Sequence, residues 1–124
     1  MLASAELVGF VPVSDMARAR AFYEGVLGCV LVDGDDYGCE LTSNGRPVRL
    51  ARVETEARPP YTVLGWAVPD LAGAVRALTG SGVTFTRYEG MGQDDLGIWT
   101  APSGDRVAWF SDSEGNALSL SQAG

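Results

Sequence analysis

Residue types that do chemistry are sparse in this chain, and the absences narrow the reading first. There is no His, which removes imidazole metal ligation, the commonest general base and any Ser/His nucleophile pair. The two cysteines, Cys29 and Cys39, flank a predicted turn where they could face each other across strands, but they read as small buried hydrophobes rather than metal ligands or a disulfide. Carboxylates remain. Glu40 interrupts the strand Y-G-C-E-L-T: turned inward, desolvation would raise its pKa and suit it to general-base work; turned outward, it is an ordinary strand charge. Glu89 and Asp94 are further acid/base candidates in the loop E-G-M-G-Q-D-D-L-G, 89–97, against the plainer reading of a solvated connection. No G-x-S-x-G, nucleotide-binding loop or Cys cluster is present.

The other candidates are positions that could hold a ligand rather than react with it. The stretch D-S-E-G-N-A-L-S-L-S, 112–121, reads as an acidic turn followed by a strand. That strand puts Ala117, Ser119 and Ser121 on an open face and Leu118 and Leu120 on a core face. By the same alternation Val8, Phe10 and Pro12 share a face of the first strand, and Val63, Gly65 and Ala67 an equivalent face later. A mostly apolar surface with a few hydroxyls is how small organic ligands are held. Tyr88, Met91 and Trp99 add aromatic and flexible side chains around the 89–97 loop. Trp66 falls in step with Leu64 and Val68, beneath a helix, while Trp109 can go either way, to stacking on a planar ligand or, the better bet, to core packing. The ligand-binding candidates are therefore Val8, Phe10, Val63, Gly65, Tyr88, Met91, Trp99, Trp109 and Ser119.

Composition sets the outer limits. A chain of 124 residues, 46% hydrophobic and 20% charged, is expected to form a single domain with a proper core. Its net charge of −7 argues against nucleic acid and anionic membrane as partners. No apolar run approaches a membrane span, and the start M-L-A-S-A-E lacks the pattern of a signal peptide, so a cytoplasmic location is expected.

The elements that must position these residues come twice. L-V-G-F-V-P-V, 7–13, suits a strand; Ser14 or Asp15 caps a helix through Met16, Ala19, Phe22, Tyr23 and Val26, ending at Gly25 or Gly28. Strands are predicted at 29–32, 37–43 and 48–53, with Asn44-Gly45 as a hairpin turn. The polar, proline-containing stretch 54–60 is linker-like. The pattern then restarts with a strand at 62–68, a helix opened by Asp70, a strand at 83–88, a short edge segment at 98–101 and a final hairpin. An offset of 55 residues superimposes Val8 on Val63, Asp15 on Asp70 and Gly25 on Gly80, which points to a duplicated βαβββ unit, modules of about 6–56 and 61–122.

The segments V-P-V-S-D-M-A-R-A-R-A-F-Y-E-G-V-L-G and F-S-D-S-E-G-N-A-L-S-L resemble the vicinal oxygen chelate superfamily, which includes glyoxalase I, bleomycin-resistance proteins and extradiol dioxygenases. The resemblance implies an α+β fold of two βαβββ modules with cupped mixed sheets, usually as a homodimer. It implies metal ligands at the positions of Val8 and Val63, at Ser119, and near Leu50, none of which is a competent donor here. The expectation is a metal-independent, cofactor-free protein that sequesters a small organic ligand. The alternative is a lyase, isomerase or dioxygenase with relocated ligands or carboxylate acid/base chemistry.

Overall fold

The computed structural model describes residues 1–124 and divides them into two compact units, Met1–Arg58 and Pro59–Gly124. The division falls inside the proline-containing 54–60 stretch. Each unit is an α+β module of one main helical segment and a four-stranded mixed sheet, with a short 3-10 turn at Leu2–Ser4 ahead of the first.

In the first unit β1 (Gly9–Val13) leads to α1 (Met16–Arg20), which continues as a wider π-type turn over Ala21–Val26. β2 (Val30–Gly34), β3 (Gly38–Ser43) and β4 (Arg46–Arg52) follow. The sheet order is β1-β4-β3-β2, with β1 parallel to β4 and the rest antiparallel. The Asp15 carboxylate accepts the Arg18 N–H at 3.1 Å and starts the helix as the capping rule requires. Asn44 and Gly45 both take positive φ (49° and 76°), the geometry of a two-residue hairpin turn. Val11, Val13, Leu41, Val48 and Leu50 of the sheet are buried, as are Met16, Ala19 and Tyr23 of the helical segment.

The second unit repeats the order with β5 (Thr62–Ala67), α2 (Leu71–Gly80), β6 (Trp99–Thr100), β7 (Arg106–Ser111) and β8 (Ala117–Gln122). Its sheet runs β5-β8-β7-β6, again with the first pair parallel. Asp70 caps α2 through the Gly73 N–H at 3.0 Å, and Gln122 Oε1 accepts the Leu71 N–H at 2.8 Å. Leu71, Val75, Val83, Phe85, Ile98, Ala108, Phe110, Leu118 and Leu120 are its buried apolar residues.

Three expectations change. The strand expected at 83–88 is absent: only Phe85 bridges, to Phe110, and the Thr86 N–H donates to the Trp109 carbonyl at 2.7 Å. Beyond that point side chains satisfy the backbone. Gln93 donates to the carbonyls of Thr86 and Gly97 and accepts the Tyr88 N–H at 2.7 Å, while the Arg87 guanidinium donates to the Asp94 and Asp95 carbonyls. The first strand begins at Gly9, so Val8 precedes it. The cysteines are not opposed: Cys39 pairs with Gly34 in the ladder, and the Cys29 thiol hydrogen-bonds Ser43.

Gly34 is required where β2 meets β3. A Cβ there would lie 2.5 Å from Cys39 Cα and 2.6 Å from the Gly38 carbonyl oxygen, at φ +154°. Gly34→Ala is expected to lower stability by about 2 kcal/mol or more, read by chemical denaturation, because the obstruction is backbone that cannot rotate away. A loss within about 0.5 kcal/mol would show that β2 shifts freely at this point.

Candidate functional site

The two ladders fix which side chains share the exposed face of each sheet. In the second unit Gly65 pairs with Ser119 and Ala67 with Ser121 across β5 and β8. Trp109 pairs with Ser119 across β7 and β8, and Trp99 with Val107 across β6 and β7. Leu64, Trp66, Leu118 and Leu120 take the other side, where Leu118 and Leu120 are buried. Trp109 therefore stands on the open face beside Ser119, not in the core. Its neighbours in sequence, Ala108 and Phe110, are the core residues, at 0% and 1% exposure.

Around Trp109 the open face becomes an aromatic wall. Tyr88 meets it edge-on, with ring centroids 5.4 Å apart and planes at 87°, and Trp99 lies at 6.0 Å and 35°. Edge and offset geometries of this kind are the favourable ones for aromatic rings. Pro60, Tyr61, Thr62, Glu89 and Met91 complete a groove of about 430 Å³ with Tyr88 and Trp109. Tyr88 is held there by the Gln93 side chain, which ties the strand-like segment before the loop to its return. Ser119 stays half-buried on the open face, and a Cβ on Gly65 would come within 2.6 Å of its hydroxyl oxygen. The bare glycine is what leaves the Ser119 hydroxyl its place.

Val63 does not share this face as expected. The register slips between Thr62 and Leu64, so Thr62 opposes Ala117 and Val63 is the extra residue of a bulge. Thr62, which the sequence did not single out, lines the groove instead. Of the carboxylates, Glu89 is exposed at the groove. Asp94 Oδ1 is occupied by the amides of Leu96 and Ile98, both at 2.9 Å, so Asp94 shapes its loop.

In the first unit Phe10 pairs with Arg49 and Glu40 with Arg49, which puts Phe10, Arg49 and Glu40 on one face. Phe10 is 63% exposed. Leu50 pairs with Val11 and is fully buried on the core side, so the residue in register with Ser119 is Arg49, not Leu50. Glu40 is half-buried and lines a groove of about 370 Å³ with Val32, Asp33, Gly34, Asp35, Gly38 and Arg49. The backbone N–H groups of Tyr37 and Gly38 hold the Asp35 carboxyl below the usual carboxylate range, and Arg49 adds to the effect.

The same registers test the residues for a metal ion. Val8, Val63, Ser119 and Leu50 or Arg49 provide no carboxylate, imidazole or thiolate. No group of three or more Cys, Asp or Glu side chains is arranged to hold one. These residues do not fit a divalent metal. Burial raises both thiols above their ordinary range, Cys29 and Cys39 alike. Raised pKa means less thiolate at pH 8, so iodoacetamide is expected to alkylate the native chain at least about tenfold more slowly than the unfolded one. Equal rates by mass spectrometry would place the thiols at the surface.

The sequence is matched by a family model over nearly its whole length. The description Glyoxalase/Bleomycin resistance protein/Dioxygenase superfamily fits residues 5–120. The chain belongs to that superfamily. A solved superfamily member from Sphaerobacter thermophilus is similar at 26% identity, with a TM-score of 0.75 over 98% of this chain and 99% of that one. A genomically encoded fosfomycin resistance protein from Listeria monocytogenes is similar at 11% identity and TM-score 0.75, over 98% of this chain and 94% of its own. Lactoylglutathione lyase from Agrobacterium tumefaciens aligns at 16% identity and TM-score 0.70, covering 96% and 93%. Among curated proteins none matches the sequence. No helix of this superfamily member is long and apolar enough to cross a membrane.

Proposed function

We propose that this superfamily member binds a planar small organic ligand without a metal ion and sequesters it rather than transforming it. The observation that carries the reading is Trp109 on the open face of the second sheet, flanked by Tyr88 and Trp99 and paired with Ser119. Three aromatic rings and a hydroxyl offer stacking area and one orienting hydrogen bond, which is binding chemistry rather than bond-breaking chemistry. The metal positions carry no carboxylate, imidazole or thiolate, which supports the metal-free form of the reading. The low identities to the fosfomycin resistance protein and the lyase carry fold alone, so the ligand is defined by its chemistry, planar and uncharged or weakly charged, and not by theirs. A homodimer belongs to the proposal, since Val30 and Leu31 of the edge strand β2 are 63% and 37% exposed in the single chain.

The test is a tryptophan-fluorescence titration against a panel of planar aromatic compounds, with metal content measured on the same sample. Saturable quenching, together with less than about a tenth of an equivalent of metal after incubation with Mn, Fe, Ni, Zn and Co, supports the proposal. Stoichiometric tight metal would overturn it in favour of a metal enzyme, and a panel without any saturable quencher would overturn the binding role.

A further inference from the structure

We infer that the open face of the first unit carries a second binding site, for a small zwitterion that presents a carboxylate to Arg49 and an ammonium to Glu40. The site is argued from residues of the first unit alone, so its failure is read separately from that of the aromatic groove.

Arg49 and Glu40 sit directly opposite each other on β4 and β3, the arrangement in which opposite charges ordinarily close into a pair. They do not close. The Arg49 guanidinium instead lies over Gly38, two residues from Glu40 along β3. A Cβ on Gly38 would stand 3.2 Å from Arg49 Nη2 and 3.6 Å from Nε, so the missing side chain is what lets the guanidinium lie flat there. The result is a cation and an anion standing apart on one face, with a groove of about 370 Å³ at their side floored by Gly34 and Gly38.

The surroundings choose the ligand class. A guanidinium presents a planar fork suited to carboxylate or phosphate. Asp33, Asp35 and Glu40 line the same groove, however, and three carboxylates against one guanidinium repel a bare anion. Two of the three are engaged by their own backbone: Asp33 Oδ1 accepts the Gly34 N–H at 2.8 Å, and Asp35 Oδ1 accepts those of Tyr37 and Gly38 at 2.9 and 3.1 Å. Glu40 is the carboxylate of the three that no backbone N–H engages, and it stands directly across the ladder from Arg49. A molecule carrying both charges satisfies Arg49 and Glu40 together and leaves the groove no more negative than before.

The experiment is an NMR titration of the full chain labelled with ¹⁵N-arginine, at matched ionic strength, with β-alanine, propionate and propylammonium as probes. β-Alanine is expected to shift one Nε–H resonance saturably, and that resonance is expected to vanish in Arg49→Gln. Propionate and propylammonium are each expected to bind about tenfold more weakly, since each keeps only one of the two charge-assisted contacts. Glu40→Gln and Gly38→Ala are both expected to weaken β-alanine by a similar factor, and Gly38→Ala keeps both charges. Propionate binding as tightly as β-alanine, no saturable shift, or a shift that survives Arg49→Gln would each overturn the assignment.

Discussion

Asp112→Ala is expected to lower stability by about 3 kcal/mol, more than any single change on the open faces. The Asp112 carboxylate is 7% exposed and organises the turn between β7 and β8. Its Oδ1 accepts the N–H groups of Glu114 at 2.8 Å and Asn116 at 2.9 Å, and its Oδ2 accepts Asn116 Nδ2 at 2.9 Å. Asn116 is fully buried, so removing the carboxylate strands donors that water reaches poorly. Each stranded donor costs on the order of 1 to 3 kcal/mol, and partial rehydration through the turn reduces the sum. The expected drop in melting temperature is roughly 10 °C. Asp112→Asn is the control: it keeps an acceptor for the two amides but sets an NH₂ against Asn116 Nδ2, so it should fall between wild type and alanine. A fall of under about 3 °C for the alanine variant would mean that the backbone pair from the Asp112 N–H to the Asn116 carbonyl, at 3.0 Å, closes the turn alone.

That turn was legible from D-S-E-G-N, as were both helix caps and the Asn44-Gly45 hairpin, because each is local chemistry with one good solution. The duplication was legible for a related reason: a cap, a helix and a terminal glycine recurred at one offset. What escaped the sequence was register. Alternation assigns faces only while the ladder is unbroken, and a slip of one residue turns every following side chain over. The bulge at Val63 is such a slip, and it put Thr62 where Val63 was expected. The position expected near Leu50 falls on Arg49 with the β1–β4 ladder unbroken, so a guanidinium stands on the open face beside a buried aliphatic. The segment 83–88 has strand composition but lacks a ladder, since Gln93 and Arg87 supply its hydrogen bonds from positions that no local pattern links to it. Trp109 stayed open between core and ligand face because R-V-A-W-F-S is apolar on both parities. Only the pairing of Trp109 with Ser119 tells which side faces out.

Because that pairing sets Trp109 at the centre of the aromatic wall, Trp109→Ala is expected to cost a bound planar ligand between about tenfold and a hundredfold in affinity, while stability changes little by comparison. Trp109 is half-buried, with Tyr88 edge-on and Trp99 tilted beside it, so its removal opens the groove instead of leaving a closed cavity in the core. Phe110→Ala, one residue on, is the opposite case. Phe110 is 1% exposed and packs on Phe85 at 5.3 Å, so its loss should cost about 3 to 5 kcal/mol and leave affinity per folded molecule nearly intact. Trp109→Phe separates stacking from bulk: it retains an aromatic face and should recover most of the affinity that alanine loses. The titration is read by calorimetry so that removal of the fluorophore does not enter. Equal ligand affinity in Trp109→Ala and the parent chain would remove the aromatic wall from the binding site. The half-buried open face would then be a surface waiting for protein rather than for a small molecule.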